Sequence, residues 1–261
     1  MKLFYSLFLV FLLVSAGWTQ NSKDLITATT RTEKSAAVIR QLAALGSDSI
    51  PVEYLQKAKA VAVFPGLTKI NILLSELIIG NGMVCLRSGD KWSVPVFLAF
   101  KGTDTNLKIA GKKSFDTVFL FMTDESVEWL KKGDLRFGSG SKSKAMLGPV
   151  IGGQGTDRTI AQASLIYYTF DKGRLVDTNL SNDTYFKAFG ILQDNNMNKS
   201  VFGMRTRALF AAPEESVKVP SEIEKFRLTL MEISVAHAAL PLPAKNKTPS
   251  INKRLPGNSK S

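Results

Sequence analysis

Apolar residues follow two different spacings along this chain. Residues 27–45 carry them three or four positions apart and are followed by Gly46, which predicts an amphipathic helix. Pro51 then opens a second, shorter helix that is predicted over 52–58. Beyond it the apolar residues become continuous in short runs, which is the pattern of buried strands. The predicted strands are 60–64, 70–79, 83–87, 92–100, 117–122 and 160–170.

Turn-forming residues separate these strands, and they decide the predicted fold. Glycine, proline, asparagine and aspartate occupy several interruptions, where the backbone reverses most easily. Strands joined by such short turns pair with their neighbours in antiparallel fashion. We therefore expect an α+β fold, a single domain with a twisted, mainly antiparallel sheet or partly closed barrel flanked by helices. The predicted turns are Pro65-Gly66, Gly80-Asn81-Gly82, Ser88-Gly89-Asp90 and Gly111-Lys112-Lys113.

Two further helices are predicted from the residues at their ends. Thr123 is followed by two acids and Gly133 is preceded by two lysines, which caps both ends and matches the helix dipole. Ser221 and Glu224 have the spacing of a capping box, and Pro241 ends the helix that follows. The folded domain is thereby placed at residues 27–240. The apolar stripe of the last helix comprises Ile223, Phe226, Leu230 and Ile233, with His237 at its end.

The N-terminal segment has the pattern of an export signal. Lys2 supplies a positive charge, and residues 3–16 form an apolar run shorter than the about 20 residues that a membrane-spanning helix needs. Small residues near the end of the run suit a signal peptidase. We therefore predict a signal peptide over 1–20, a mature chain that begins near residue 18 to 21, and a secreted or periplasmic soluble protein. An uncleaved signal anchor is the alternative.

The charge balance favours an anionic partner. Lys and Arg number 34 and Asp and Glu number 22, so the formal net charge is +12. Residues 241–261 contain basic residues and prolines but no acid, and this tail is predicted to be disordered because it has too few apolar groups to bury. Aromatic and basic residues are not interleaved in the way that stacks bases, which argues against nucleic acid.

The chain offers few candidate catalytic residues. Its single cysteine and single histidine exclude an internal disulfide framework and the multi-histidine metal sites. Cys85 lies in an apolar strand and is predicted to be a buried, inert thiol, and His237 is predicted to serve helix-end packing. The glycine-rich segment 148–156 lacks the Lys-Ser/Thr ending of a phosphate loop and is predicted as a structural turn. We expect no enzyme activity and no cofactor; a serine hydrolase that uses His237 is the enzymatic alternative.

Several short motifs follow one another between residues 35 and 203. They include Ala58-Lys59-Ala60-Val61-Ala62-Val63-Phe64-Pro65, Gly80-Asn81-Gly82, Trp92-Ser93-Val94-Pro95-Val96-Phe97 and Gly148-Pro149-Val150. In this order they resemble the SYLF domain family, a lipid-binding domain also described as the yeast actin-binding type, and the chain is similar to a divergent, exported member. The resemblance implies binding of phosphoinositides or other anionic lipids. It also implies an amphipathic N-terminal helix, as in eukaryotic relatives, and actin binding in fungal ones.

The predicted lipid site combines the first helix with lysines of the predicted sheet. On a bilayer, residues 31–45 would lay aliphatic side chains on the lipid while their bases face headgroups, each base contributing ~1 kcal/mol. Packing of this helix in the core is the alternative. Lysines scattered elsewhere would form a site only if folding gathers them on one face. The predicted site residues are Arg31, Lys34, Arg40, Lys59, Lys69, Lys101 and Lys108.

These observations predict an exported, non-enzymatic protein that binds anionic phospholipid at a membrane surface. An envelope protein-interaction or scaffold module, whose sheet recruits a protein partner, is the alternative function. Cytoplasmic actin is not an expected partner of an exported protein. Positive charge and exposed apolar surface would serve either function, so the choice between them depends on how the tertiary structure arranges these side chains.

Overall fold

The computed structural model of this chain describes residues 2–44, 50–72, 75–105, 114–133, 135–138, 150–152, 163–171, 174–175 and 186–238. Its helices are α1 (Lys2–Ala44), α2 (Val52–Lys57), α3 (Asp124–Lys132), α4 (Asn195–Phe202), α5 (Thr206–Ala211) and α6 (Ser221–Ala238), with a short 3₁₀ helix at Glu214–Ser216. The strands are β1 (Ala60–Ile72), β2 (Ser75–Ser88), β3 (Lys91–Trp92), β4 (Val96–Thr105), β5 (Ser114–Phe121), β6 (Leu135–Gly138), β7 (Val150–Gly152), β8 (Leu165–Asp171), β9 (Arg174–Leu175) and β10 (Phe186–Gln193).

The strands form one mixed sheet in the order β6-β10-β4-β2-β1-β5-β8-β7, with β3 paired to β2 and β9 to β8. Among the described strands, every pairing is antiparallel except that of β7 with β8, which is parallel. Helices flank the sheet. The predicted α+β class with a mainly antiparallel sheet is therefore confirmed.

The sheet is curled into a half-barrel. Phe119 on β5 and Phe189 on β10 belong to strands four places apart in the sheet, which in a flat sheet would lie about 19 Å apart at ~4.8 Å per strand. Their ring centroids are nevertheless only 5.6 Å apart. Phe64 and Phe100 fill the same interior, with centroids 5.5 Å apart. These aromatic side chains define the concave face, and the opposite face of the sheet is convex.

Both faces of the sheet are buried over most of its area. On β1, Val61 and Val63 pack with the apolar stripes of α1 and α6 on the convex face, and Ala62 and Phe64 pack inside the curl. Helices α3 and α5 close the concave side, where Leu130 and Leu209 join the aromatic core. A strand that is buried on two faces shows no apolar and polar alternation, which is why the strands could be recognised as continuous apolar runs.

Two of the predicted turns are wrong because they lie inside strands, whereas the turn predicted at Ser88-Gly89-Asp90 is observed between β2 and β3. The predicted strand 70–79 contains the β1–β2 connection, and Pro65-Gly66 forms a bulge within β1, where Gly66 has a φ of 64°. Gly80-Asn81-Gly82 continues β2. A Cβ atom at Gly82 would lie 2.5 Å from Cδ1 of Phe64 and closer still to the Val63 carbonyl oxygen. This glycine is therefore required by the packing of β1 on β2 and not by chain reversal.

The two helices that were predicted from the residues at their ends are both observed. Thr123 caps α3, its hydroxyl accepting a hydrogen bond from the Ser126 amide at 3.2 Å, and Gly133 ends the helix with a φ of 77°. The last helix is confirmed as α6, but its predicted capping box is wrong: the carbonyl of Pro220 accepts the first amide hydrogen bonds, and the Glu224 carboxylate pairs with Arg227. The four aliphatic and aromatic side chains of the predicted stripe are buried: Ile223, Phe226, Leu230 and Ile233.

Other predicted segments differ from the observed elements in their bounds, or lie outside the residues that the structure describes. The helix predicted over 27–45 is the C-terminal part of the longer α1. The strand predicted over 92–100 is divided between β3 and β4, and the one over 160–170 is observed as β8. Within the predicted glycine-rich turn, 150–152 forms strand β7. The remainder of that turn, the turn at Gly111-Lys112-Lys113 and the tail 241–261 lie outside the described residues.

Candidate functional site

The predicted role of α1 in lipid contact is not supported by its packing. Its aliphatic side chains Val38, Ile39 and Leu42 are 5%, 2% and 4% exposed, so the core-packing alternative is the one observed. Arg31 is also directed inwards, which corrects the prediction that it faces headgroups. Its guanidinium is 2.8 Å from the carboxylate of Asp194, and only 9% of its side chain is exposed.

The other two predicted bases of α1 remain at the surface. Arg40 is exposed, and its guanidinium donates a hydrogen bond to the hydroxyl of Thr229 at 3.0 Å, which ties it to α6. Lys34 is exposed. The basic residues of α1 therefore do not form one headgroup-facing stripe, because the helix has turned its apolar face and one of its cations into the protein.

The predicted lysines of the sheet do not meet at one place. Lys59 lies just before β1 and pairs with Asp124 at 3.3 Å. Lys69 lies ten residues farther along, about 33 Å at about 3.3 Å per residue. It is paired in register with Ile78, a residue of the concave core. Lys101 is on the convex face. Lys108 lies outside the described residues.

Lys101 instead belongs to a row of side chains that crosses five strands. In the register of the sheet, Thr68 on β1 faces Ile79 on β2, Ile79 faces Lys101 on β4, Lys101 faces Gly190 on β10, and Gly190 faces Arg136 on β6. Residues directly opposite in adjacent strands project from the same face. Because Ile78 and Leu135 belong to the concave core, this row projects from the convex face.

We call this region the open face and define it by the row together with two residues of the next row, Ile70 and Leu77, which pair with each other. Lys101 and Arg136 are exposed, and Ile70 and Ile79 are each 37% exposed. Leu77 is partly exposed. Aliphatic and basic side chains thus lie side by side on an accessible sheet surface.

The position of α1 explains why this part of the convex face is open. Helix α1 packs on β1 and β2, and the guanidinium of Arg31 reaches from it to β4, where it lies 5.2 Å from the ring centroid of Phe97. Lys101 is four residues farther along β4, about 13 Å at 3.3 Å per residue. A helix is about 10–12 Å wide. It therefore covers the sheet for only about half of this width on either side of its axis. The open face is the part of the sheet beyond this cover.

Six of the seven residues that form this surface were missed by the sequence predictions: Thr68, Ile70, Leu77, Ile79, Gly190 and Arg136. Ile78 and Ile79 are neighbours of identical type, yet one is fully buried and the other is exposed. No local pattern distinguishes them. Arg136 joins Lys101 only because β10 pairs with both β4 and β6, a pairing between distant segments. Among the predicted bases that the structure describes, Lys101 is the one found on the open face.

The structure also bears on the residues considered for catalysis. Cys85 is fully buried, and burial raises the pKa of its thiol well above the usual value, which leaves the nucleophilic thiolate scarce. Within the described ranges, no three His, Cys, Asp or Glu residues are grouped as a metal site. The helices of the described chain include none that is long and apolar enough to cross a membrane.

A cleft of about 600 Å³ lies between the 3₁₀ helix and the N-terminal part of α6. Arg227 lines this cleft, and its guanidinium is paired with the carboxylates of Glu214 and Glu224. Val217 and Val219 contribute apolar walls. Three acids, Glu214, Glu215 and Glu224, line the cleft against two bases, Arg227 and Lys91, so the charge of its walls does not favour an anion.

Comparisons with known proteins provide no relative for this chain. No protein-family model, no curated protein and no solved structure matches it. The resemblance to the SYLF domain family therefore stays a prediction from sequence motifs. The functional argument depends on the geometry of the open face.

Proposed function

We propose that this chain is a non-enzymatic protein that binds anionic membrane surfaces through the open face. The observation that carries the proposal is the row in which Ile79, Lys101, Gly190 and Arg136 face one another across four adjacent strands. It combines what a peripheral membrane site needs, which is aliphatic surface for the interface and cations for the headgroups. The resemblance to a lipid-binding family and the net charge of +12 support the same class of partner.

The shape of the protein favours a surface over an enclosed ligand. The concave side of the half-barrel is filled by buried aromatic rings, among them Phe64, Phe119 and Tyr167, which are at most 1% exposed. The open face lies on the convex side and cannot enclose an acyl chain. A convex patch with projecting isoleucines and cations is suited to lie on headgroups, where the surface potential of anionic lipid attracts the bases.

Binding to anionic vesicles should depend strongly on the two cations of the open face. Each base near an anionic surface contributes about 1 kcal/mol, so their loss alone costs about 2 kcal/mol, or about thirtyfold in affinity. We expect Lys101→Glu/Arg136→Glu in the full chain to weaken co-sedimentation with phosphatidylglycerol vesicles at low salt by at least that factor. Low salt is chosen because screening is weakest there.

The matched control is Lys34→Glu/Lys218→Glu, which changes the net charge equally at two other exposed lysines. It should retain most of the binding, and Lys34 also tests the α1 surface that the sequence predicted. Equal losses in the two double variants would refute the open face as the site. Absence of wild-type binding at low salt, together with recovery of one stoichiometric protein from envelope extract, would replace the lipid function with the protein-interaction alternative.

We further propose that the protein acts after export. Two polar ties of α1 to the body lie beyond the predicted cleavage region: Asp24 accepts a hydrogen bond from Ser200 at 2.7 Å, and Arg31 pairs with Asp194. Removal of residues 1–20 would leave both contacts in place. Mass spectrometry of the protein from its native host should therefore find an N-terminus between residues 18 and 21. An intact N-terminus on the folded protein would instead support the uncleaved signal anchor.

A further inference from the structure

One short motif in α4 has the sequence of an N-glycosylation acceptor. Asn198-Lys199-Ser200 fits the pattern Asn-x-Ser/Thr, in which a glycosylating secretory cell attaches a glycan to the asparagine. Three further acceptors begin at Asn179, Asn182 and Asn246, outside the described residues. Glycan acceptors belong on surface loops, whereas this one lies within a helix.

The Asn198 side chain is buried and fully hydrogen-bonded. The residue is 0% exposed. Its Oδ1 atom accepts a hydrogen bond from the Phe97 amide at 2.9 Å, and its Nδ2 atom donates to the Phe97 carbonyl at 2.9 Å and to the hydroxyl of Thr206 at 2.7 Å. The side-chain amide thus pairs with the backbone at the start of β4 as a neighbouring strand would. It ties α4 to the sheet and to the first residue of α5.

A glycan at Asn198 is incompatible with these contacts. The glycosidic bond forms at Nδ2 and replaces one of its two hydrogens, both of which are donated in the folded protein. Either the carbonyl of Phe97 or the hydroxyl of Thr206 would then be buried without its partner. The sugar would also have to occupy space that is already packed, because Asn198 has no exposed surface.

We infer that this fold and a glycan at Asn198 exclude each other, and that the protein is exported by a route that does not glycosylate the emerging chain. The second part rests on the proposed export. Transfer of a glycan acts on an extended segment as it emerges, whereas the pairing of Asn198 requires that Phe97, 101 residues away, is already assembled in the sheet. On a glycosylating route, transfer would therefore precede folding and block it.

Substitutions of Ser200 separate glycosylation from packing. Ser200→Ala destroys the acceptor and also loses the hydrogen bond to Asp24, so by itself it weakens the fold slightly. Ser200→Thr keeps a hydroxyl and is the more efficient acceptor. The full chain is expressed behind a leader of a cultured animal cell that attaches N-glycans. We expect Ser200→Ala to raise the amount of protease-resistant, folded protein about threefold over wild type, and Ser200→Thr to lower it, because folding defects change abundance several-fold.

Two controls accompany these variants. Thr248→Ala removes the acceptor at Asn246, in the tail predicted to be disordered, and should leave the amount of folded protein unchanged. Production in the cytoplasm of a bacterium without N-glycosylation should abolish the advantage of Ser200→Ala. Folded protein with a glycan at Asn198 would overturn the exclusion. A complete lack of glycan at Asn198, in chains glycosylated elsewhere, would overturn the inference about the route, since folding would then protect the site on any route.

The second arm is mass spectrometry of the protein from its native host. We expect unmodified asparagine at all four acceptors, Asn198 among them. A glycan on any of the four would overturn the inference about the route and leave the export itself standing. An intact N-terminus would instead overturn the export, and with it the route, while the Ser200 variants would still decide whether glycan and fold exclude each other.

Discussion

Replacing Asp194 with asparagine should lower the free energy of unfolding by about 3 kcal/mol. The Asp194 carboxylate is 2.8 Å from the guanidinium of Arg31, whose side chain is only 9% exposed. Removing one partner of a buried ion pair leaves the other charge without compensation, which costs about 3–5 kcal/mol. Asparagine can still accept the hydrogen bond from the Met197 amide that caps α4, so this variant isolates the loss of charge.

A double-mutant cycle separates the pair from its surroundings. Arg31→Met/Asp194→Asn removes both charges and should recover much of the stability lost in Asp194→Asn, because no unpaired charge remains buried. Urea denaturation followed by circular dichroism measures each variant. Asp124→Asn is the control for a surface pair, since Asp124 is 85% exposed beside Lys59, and it should cost less than about 1 kcal/mol. A cost for Asp194→Asn no larger than this control would contradict a buried tie between α1 and α4.

The second large effect is expected for Gly82→Ala, which should cost about 3 kcal/mol. A Cβ atom at this position would lie 2.5 Å from Cδ1 and 2.8 Å from Cγ of Phe64, and closer still to the carbonyl oxygen of Val63. Neither neighbour can yield easily, because the oxygen belongs to the ladder of β1 and the ring is held by Phe100 and Phe119. Overpacking of this kind forces backbone shifts that cost about 1–3 kcal/mol, occasionally more.

Gly190→Ala is the matched control because it makes the same substitution in another strand. The nearest heavy atoms to its Cβ would be 3.6 Å away, an ordinary van der Waals contact. We expect its melting temperature to equal or slightly exceed that of the wild type, since alanine also reduces the entropy of the unfolded chain. If thermal unfolding showed the two variants to be equally stable, the close approach of β1 to β2 at Gly82 would have to be relaxed in solution.

The helix ends were predictable because the interactions that form them are local. The hydroxyl of Thr123 reaches an amide only three residues away, and Gly133 adopts its positive φ at the end of the same helix. Burial of Cys85 was equally predictable, since it lies in the continuous apolar run 83–86 of β2. The capping box at Ser221 failed for a tertiary reason: Arg227, which also pairs with Glu214, draws the Glu224 carboxylate away.

The candidate site was harder to predict because a single bulge decides which face a side chain takes. Between Phe64 and Leu67, β1 contains one residue more than β5 opposite it, and this reverses the alternation beyond that point. Lys69 is consequently paired with the buried Ile78, on the concave side, while Lys101 projects from the convex side. Neither the composition of the chain nor the spacing of its apolar residues predicts this bulge or the change of face that it causes.

By itself, the sequence determined the α+β class, the ends of α3, the burial of Cys85 and the apolar face of α6, because each follows from residues close together in the chain or from a continuous apolar run. The tertiary structure alone decided that Arg31 turns inwards to Asp194 and that Arg136 projects from the same face of the sheet as Lys101. Both outcomes depend on pairing between distant segments, and the energy of such contacts appears only when the strands and helices have been assembled.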